Sequence, residues 1–211
     1  MRRSITISEP NGTKKTDSPQ RGRPREFEAP EALRKAMLTF WEKGYHATSL
    51  DDLTTSTGVQ KSSLYAAFGD KESIFQACLE RYFELVGSGE LSSLKNGSSP
   101  KECLTSFFAE VIRATTPSNG PRGCMIVCVL SELASKEGPL RMRLLEIIRG
   151  NDRAIASRLR EIGFPGDCEE AGMLASTLIM GYAVRARSGE SRSKLIKSIP
   201  AAVEMVLSVG S

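Results

Sequence analysis

From Pro30 to the C-terminal end, apolar residues recur at three- and four-residue intervals, the spacing of one helical face. Leu33, Ala36, Met37, Phe40 and Trp41 predict a first helix, which Gly44 stops. Thr48 or Ser49 then caps a short second helix; Thr48 with Asp51 and Ser49 with Asp52 both have the spacing of a capping box. That helix ends at Thr57-Gly58, and another covers Gln60 to Phe68. Asp70 caps a fourth, whose face is Phe75, Cys78, Leu79, Tyr82, Phe83 and Val86. The Gly, Ser, Asn and Pro residues between Gly87 and Pro100 predict a domain boundary. Leu104, Phe107, Phe108, Val111 and Ile112 mark a fifth helix. Residues 124–133 are apolar nearly all round, which predicts a buried sixth. Gly138-Pro139 opens a long amphipathic seventh running to about Ile162. Ala171, Leu174, Ala175, Leu178, Ile179 and Tyr182 define an eighth, and a ninth runs from about Arg192 to Leu207 with a kink expected at Pro200. No segment alternates with strand period, and there is no internal repeat. The expected fold is all-α, about nine helices in two parts.

Composition narrows the class. The chain has 211 residues, of which 40% are hydrophobic and 26% charged, values of an ordinary globular protein. Its densest apolar run, Cys124 to Leu130, is far short of the ~20 residues that span a bilayer. Met1-Arg2-Arg3 is not followed by an apolar stretch, so no signal peptide is expected and a cytoplasmic location follows. Five cysteines without close spacing argue against a disulfide framework. With His46 the only histidine, a triad or a multi-histidine metal site lacks its parts. No Gly-rich phosphate loop is present either, so a helical enzyme using a cysteine nucleophile has no partner constellation. No cofactor is expected.

Charge is unevenly distributed. Residues 1–26 carry seven basic against three acidic residues, residues 27–90 six against ten, and residues 91–211 sixteen against twelve. Bulk charge therefore does not argue for nucleic acid, and the case rests on individual positions. Residues 1–26 read as a flexible basic arm. Its Arg21-Gly22-Arg23-Pro24-Arg25 run resembles an AT-hook core, a peptide suited to a narrow minor groove.

The chemistry-bearing segment is residues 44–75. Two short helices joined at Gly58, with Leu50, Leu53, Val59, Leu64 and Phe68 as their apolar seam, make a helix-turn-helix. Gln60, Lys61, Ser62 and Ser63 stand at the N-terminal end of the second helix, the end that meets base edges in a major groove. Small serines there permit close backbone approach, and Lys61 and Gln60 reach phosphate or base edges.

Phe40-Trp41, Gly44-Tyr45, Thr48-Ser49-Leu50, Asp52-Leu53, Gly58-Val59, Lys61-Ser62-Ser63-Leu64-Tyr65 and Phe68-Gly69-Asp70-Lys71-Glu72 together resemble the TetR/AcrR family of transcriptional regulators over residues 27–86. Arg122-Gly123-Cys124-Met125 is similar to a run in some members. The resemblance implies a helix-turn-helix DNA-binding domain over 27–88 and a ligand-binding and dimerisation domain over 89–211. It implies phosphate contacts by Tyr65 and Lys71, and a Thr48 that caps the second helix and touches DNA beside Ser49. Ala66-Ala67 departs from the pattern, since many members carry an aromatic or histidine after the tyrosine. An effector pocket between C-terminal helices is expected from Phe107, Phe108, Met125, Cys128, Val129, Met142, Leu145 and Met173. A homodimer interface is expected from Leu174, Leu178, Tyr182, Leu195, Ile199 and Val203. The implied function is a ligand-responsive repressor that binds a palindromic operator as a homodimer, with a small-molecule effector as further partner and no membrane partner.

Two other readings stay open. Cys124 and Cys128, i and i+4 with Met125 beside them and Cys103 opposite, could sense thiol chemistry or a soft metal; a buried helix using small apolar side chains is the preferred account of them. A helical dimer that binds ligand but not DNA would suit the acidic balance of residues 27–90 and Ala66-Ala67. The intact Lys61–Tyr65 run speaks against it.

Overall fold

A computed structural model describes residues 28–133 and 138–209. Among these the chain is helical throughout: α1 (Ala29–Lys43), α2 (Leu50–Thr57), α3 (Lys61–Phe68), α4 (Lys71–Tyr82), a π-helical segment (Phe83–Gly87), α5 (Ser88–Ser93), α6 (Pro100–Thr115), α7 (Met125–Leu133), α8 (Pro139–Glu161), α9 (Cys168–Arg187), α10 (Arg192–Ile196) and α11 (Ile199–Leu207). The all-α expectation holds. No helix among the described residues is long and apolar enough to cross a membrane.

Local chemistry sets the boundaries. Ser49 accepts from the Asp52 N–H while Asp52 accepts from the Ser49 N–H, a complete capping box. At α4, α6, α9 and α10 the side chains of Asp70, Ser99, Asp167 and Ser191 cap without the reciprocal half of the box, each satisfying an N–H that has no intrahelical partner. Pro30, Pro100, Pro139 and Pro200 all stand in first turns, where a missing N–H is harmless. This corrects the kink expected at Pro200: the ninth predicted helix is divided at Lys197-Ser198, and Pro200 opens α11. The fourth predicted helix is divided into α4 and the π-helical segment, and α5 (Ser88–Ser93) occupies part of the Gly87–Pro100 stretch expected to be a helix end and a boundary loop.

Two hydrophobic cores result, and they do not follow chain order. The first joins Phe40, Trp41, Leu53, Leu64, Phe75 and Tyr82 of the N-terminal helices to Met125 and Val129 of α7 and Leu140, Leu144 and Ile147 of α8. The second packs Leu104, Phe108, Ile155, Leu159, Ala175, Tyr182 and Val203 from α6, the end of α8, α9 and α11. Helix α8 is thus shared, its first half with the helix-turn-helix and its second half with α9. The buried character expected of residues 124–133 holds for Met125, Ile126, Val129 and Leu133.

Of the six residues expected at a homodimer interface, four lie inside the protomer. Tyr182, Leu195, Ile199 and Val203 are buried in the protomer's own second core, with the Tyr182 hydroxyl 3.0 Å from Ser198 Oγ. Leu174 and Leu178 are half-buried against the same core. An apolar face first satisfies the chain that carries it. What α9 and α11 leave outward are Met173, Val184 and Met205, each more than half exposed.

Candidate nucleic-acid interface and cavity

The helix-turn-helix is held from behind. Leu53 and Leu64 are buried where α2 and α3 meet, Val59 is buried in the turn, and Gly58 adopts the left-handed conformation (φ 73°, ψ 13°) that ends α2. This packing turns Gln60, Lys61, Ser62, Tyr65, Ala66 and Ala67 to solvent, with Ser63 half-buried. Gln60 is the N-cap of α3 without a side-chain bond, so the first-turn N–H groups of Lys61 and Ser62 point outward beside it. The Lys61 ammonium lies 5.9 Å from the centroid of the Tyr65 ring, placing both groups on one face.

Lys71 begins α4 close by. Its ammonium stands 4.7 Å from the Tyr45 ring centroid and 3.4 Å from the His46 carbonyl oxygen, to which it donates. Burial lowers its pKa, an effect countered by the Glu132 and Asp52 carboxylates. Ser49 is exposed as the N-cap of α2. Thr48 is a correction. It is fully buried and its hydroxyl donates to the Gly44 carbonyl at 2.6 Å, so it neither caps α2 nor reaches the surface. Both threonine and serine fit the capping spacing, and only the chain's path after Gly44 decides between them. Arg21, Arg23 and Arg25 lie outside the described residues.

Behind this face sit residues that periodicity did not single out. Glu132 of α7 accepts the His46 N–H at 2.8 Å, and a Cβ on Gly44 (φ 86°, ψ 172°) would fall 1.9 Å from Glu132 Oε1. Arg187 of α9 donates to the Glu42 carbonyl at the end of α1 and to the Arg122 carbonyl. Arg122 in turn donates to the Ala186 carbonyl at 2.9 Å, and Gly123 lets α9 approach so closely that a Cβ would lie 3.0 Å from the Ala183 carbonyl oxygen. Two helices from the C-terminal half therefore grip both sides of the turn that leads into α2. The Arg122-Gly123 run was visible in the sequence; its partner on α9 was not.

Lys43 at the end of α1 meets Asp52 of α2 at 2.5 Å. Lys43, then the Ser49 N–H and hydroxyl, hold the Asp52 carboxyl well below the usual carboxylate range. Because folding depresses this pKa, the associated stabilisation is complete above the ordinary value of about 4 and is lost as pH falls below it. The urea midpoint of Asp52→Asn is expected to lie below the parent's at neutral pH, with the gap closing on acidification. A gap constant down to the acid transition would show that the carboxylate's charge is not involved.

A cavity of about 50 Å³ lies between the two cores. Tyr82, Phe83, Phe107, Ile126, Asn151 and Ser176 are among its walls. Of the eight residues expected to line an effector pocket, the structure brings only Phe107 to this space. Phe108, Met125 and Val129 are fully buried in the cores, and Cys128 and Leu145 are half-buried elsewhere. Met142 and Met173 are exposed, Met142 lining a separate groove against α4. On helices apolar all round, period alone does not choose among neighbouring faces. Of the cysteines, Cys124 is on the cavity wall with its Sγ 3.4 Å from the Tyr82 hydroxyl, whereas Cys103 is buried in the second core and donates to the Leu94 carbonyl at 3.0 Å. The grouping of Cys103 with Cys124 and Cys128 is therefore not formed. Among the described residues no three His, Cys, Asp or Glu side chains are placed to hold a metal ion.

Residues 32–78 match the family model described as bacterial regulatory proteins, tetR family. The chain is 31% identical to the HTH-type transcriptional repressor ComR of Escherichia coli (strain K12), over 86% of this chain and 92% of that one. The chain belongs to the TetR family. This TetR family protein is also 27% identical to the HTH-type transcriptional repressor BdcR of the same strain, over 89% and 93% of the two chains. Among solved structures it is similar to a cysteine mutant of the TetR family transcriptional regulator CifR complexed with 26 bp double-strand operator DNA (TM-score 0.78, 29% identity, 87% of this chain and 98% of that one). It is accordingly a DNA-binding transcriptional regulator of the TetR type; the family comprises regulators and not enzymes.

Proposed function

We propose that this chain is a cytoplasmic repressor that binds a palindromic operator as a homodimer and releases it when a small molecule fills the cavity between its cores. The observation that carries the reading is the outward face of α3, where Gln60, Lys61, Ser62 and Tyr65 stand together beside open first-turn N–H groups. In this reading residues 27–88 contact DNA and residues 89–211 carry dimerisation and effector binding. Lys61 and Gln60 meet base edges or phosphates. Ser62 and Ser63 allow close approach, and Tyr65, Ser49 and Lys71 contact the backbone. Met173, Val184 and Met205 form the surface against a second copy. A two-fold dimer sets two recognition helices ~34 Å apart, over successive major grooves. That the related CifR was solved on operator DNA supports the reading.

Selection of bound sequences from a random duplex pool tests it, with the Lys61→Ala/Tyr65→Ala double variant as control. A palindrome recovered by the parent and lost by the control is the expected result. No enrichment by a folded dimer would overturn the reading in favour of a ligand-binding dimer without DNA activity.

The basic arm enters the same proposal through Arg21, Arg23 and Arg25. Deleting residues 1–25 is expected to weaken operator binding and to reduce the slope of log affinity against log salt by about 0.9 for each phosphate the arm neutralises. An unchanged slope would remove the arm from the interface.

A further inference from the structure

We propose that the cavity selects a small uncharged molecule with an apolar body and one oxygen function, such as a ketone or secondary alcohol, and that Asn151 and Ser176 hold that oxygen. The regulatory meaning of this ligand rests on the effector reading above; its binding does not.

Among the described residues no acidic, basic or histidine side chain lines the space. An ion entering it would leave water without gaining an opposite charge, whereas an apolar body loses nothing there. The polar walls narrow the choice further. The Thr115 hydroxyl is spent on the Val111 carbonyl at 2.8 Å. The Tyr82 hydroxyl and the Cys124 thiol face each other at 3.4 Å. Ser176 is only 3% exposed, lines the cavity, and has no hydrogen-bond partner among the described residues. The same holds for the side-chain amide of half-buried Asn151. A hydroxyl and an amide that face this space without a protein partner are free to bond whatever enters it. A carbonyl oxygen can accept from both, and an alcohol can accept from one and donate to the other.

The route in has the same character. Phe83, Leu91 and Asn151 line both the cavity and a wide groove between α4 and α8, which carries Glu80, Arg143 and Glu146 farther out. A ligand passing from groove to cavity leaves the charged groups behind and meets Asn151 at the threshold. The inner wall reports its arrival. Tyr82 packs edge-on against Trp41 of α1, with ring centroids 5.1 Å apart, and Trp41 is the chain's only tryptophan.

The test titrates the full-length protein with a graded series of methyl ketones and the matching secondary alcohols, carboxylates and ammonium ions, reading Trp41 emission. Saturable changes are expected with the ketones and alcohols, and at least tenfold weaker ones with the ionised members. Ser176→Ala combined with Asn151→Ala is expected to weaken ketone binding about tenfold, the loss of two hydrogen bonds of ordinary strength, while the unfolding midpoint stays near the parent's. Equal or tighter binding of an ionised member would overturn the proposal. So would ketone affinity indifferent to the double substitution, or no saturable response across the neutral series. Affinity for the selected operator, measured in parallel, separates the two readings. Neutral ligands that bind without moving DNA affinity would sink the effector reading and leave the ligand class standing. An ionised ligand that releases DNA would do the reverse.

Discussion

Removing the Lys61 ammonium and the Tyr65 ring together is expected to lower affinity for the selected operator by about three orders of magnitude. Each group, when it touches a phosphate or base edge, contributes about 1 kcal/mol, and a dimer carries four such groups. Four kcal/mol corresponds to roughly a thousandfold at 1.4 kcal/mol per decade. Both residues are exposed, so neither substitution disturbs the seam of Leu53, Val59 and Leu64, and stability should change by less than about 0.5 kcal/mol. The single variants separate the contributions. Lys61→Ala should flatten the salt dependence by about 0.9 for each phosphate the ammonium neutralises. Tyr65→Phe should lose only what the hydroxyl supplies, keeping the ring against the lysine stem. Electrophoretic mobility shift at two or more salt concentrations measures all three. A double variant that binds within fivefold of the parent would mean that α3 does not carry recognition, whatever its position.

Gly172→Leu is expected to give the largest loss of stability, about 3 kcal/mol or more. Helices α8 and α9 cross at this glycine. A Cβ here would sit 2.7 Å from the Asp152 carbonyl oxygen, 3.0 Å from the Ala156 nitrogen and 3.1 Å from the Ala156 Cβ. Two of these atoms are backbone and cannot swing aside, so a larger side chain separates the helices. That separation loosens Ile155, Leu159, Ala171 and Ala175, all buried in the second core. For a chain of this size the melting temperature should fall by about 6–12 °C. Gly150 on α8 provides the opposite sign. A Cβ there meets nothing within 4 Å, so Gly150→Ala should stabilise by up to about 1 kcal/mol through helix propensity alone. Denaturant titration of the pair tests the crossing directly. A Gly172 variant as stable as its parent would show that α8 and α9 have room to move apart.

The two predictions draw on different levels of information. The α3 face was legible because its determinants are local. Gly58, the capping spacing of Ser49 with Asp52, the apolar seam and the Lys61–Tyr65 run all lie within a few residues of one another, and the packing of short helices around one turn leaves a single outward face. The Gly172 crossing was not legible. A glycine inside a helical pattern reads as a propensity defect until the second helix is in place. Thr48 shows the same limit at one residue's distance, since the hydroxyl nearest the cap position turned inward to the Gly44 carbonyl. Glu132 and Arg187 read as ordinary surface charges of helical segments, yet they bond to the turn after α1 and to the last turn of α1 across separations of 86 and 145 residues.

By itself, the sequence determined the helical class, most helix ends, the helix-turn-helix and the residues on the outward face of α3. These depend on 3.6-residue periodicity, capping side chains and turn glycines, all short-range in the chain. Only the tertiary structure decided that α7 and the first half of α8 complete the N-terminal core, and that Tyr182, Leu195, Ile199 and Val203 are buried in the protomer's own second core. It also decided that the cavity is lined by Asn151, Ser176 and Met180 rather than by Met125, Met142 and Met173. The reason is geometric. Neighbouring residues on a helix point about 100° apart, so a helix that is apolar on several sides can meet its neighbours in more than one rotation. Which rotation occurs depends on side chains brought from far along the chain, and their close packing selects one.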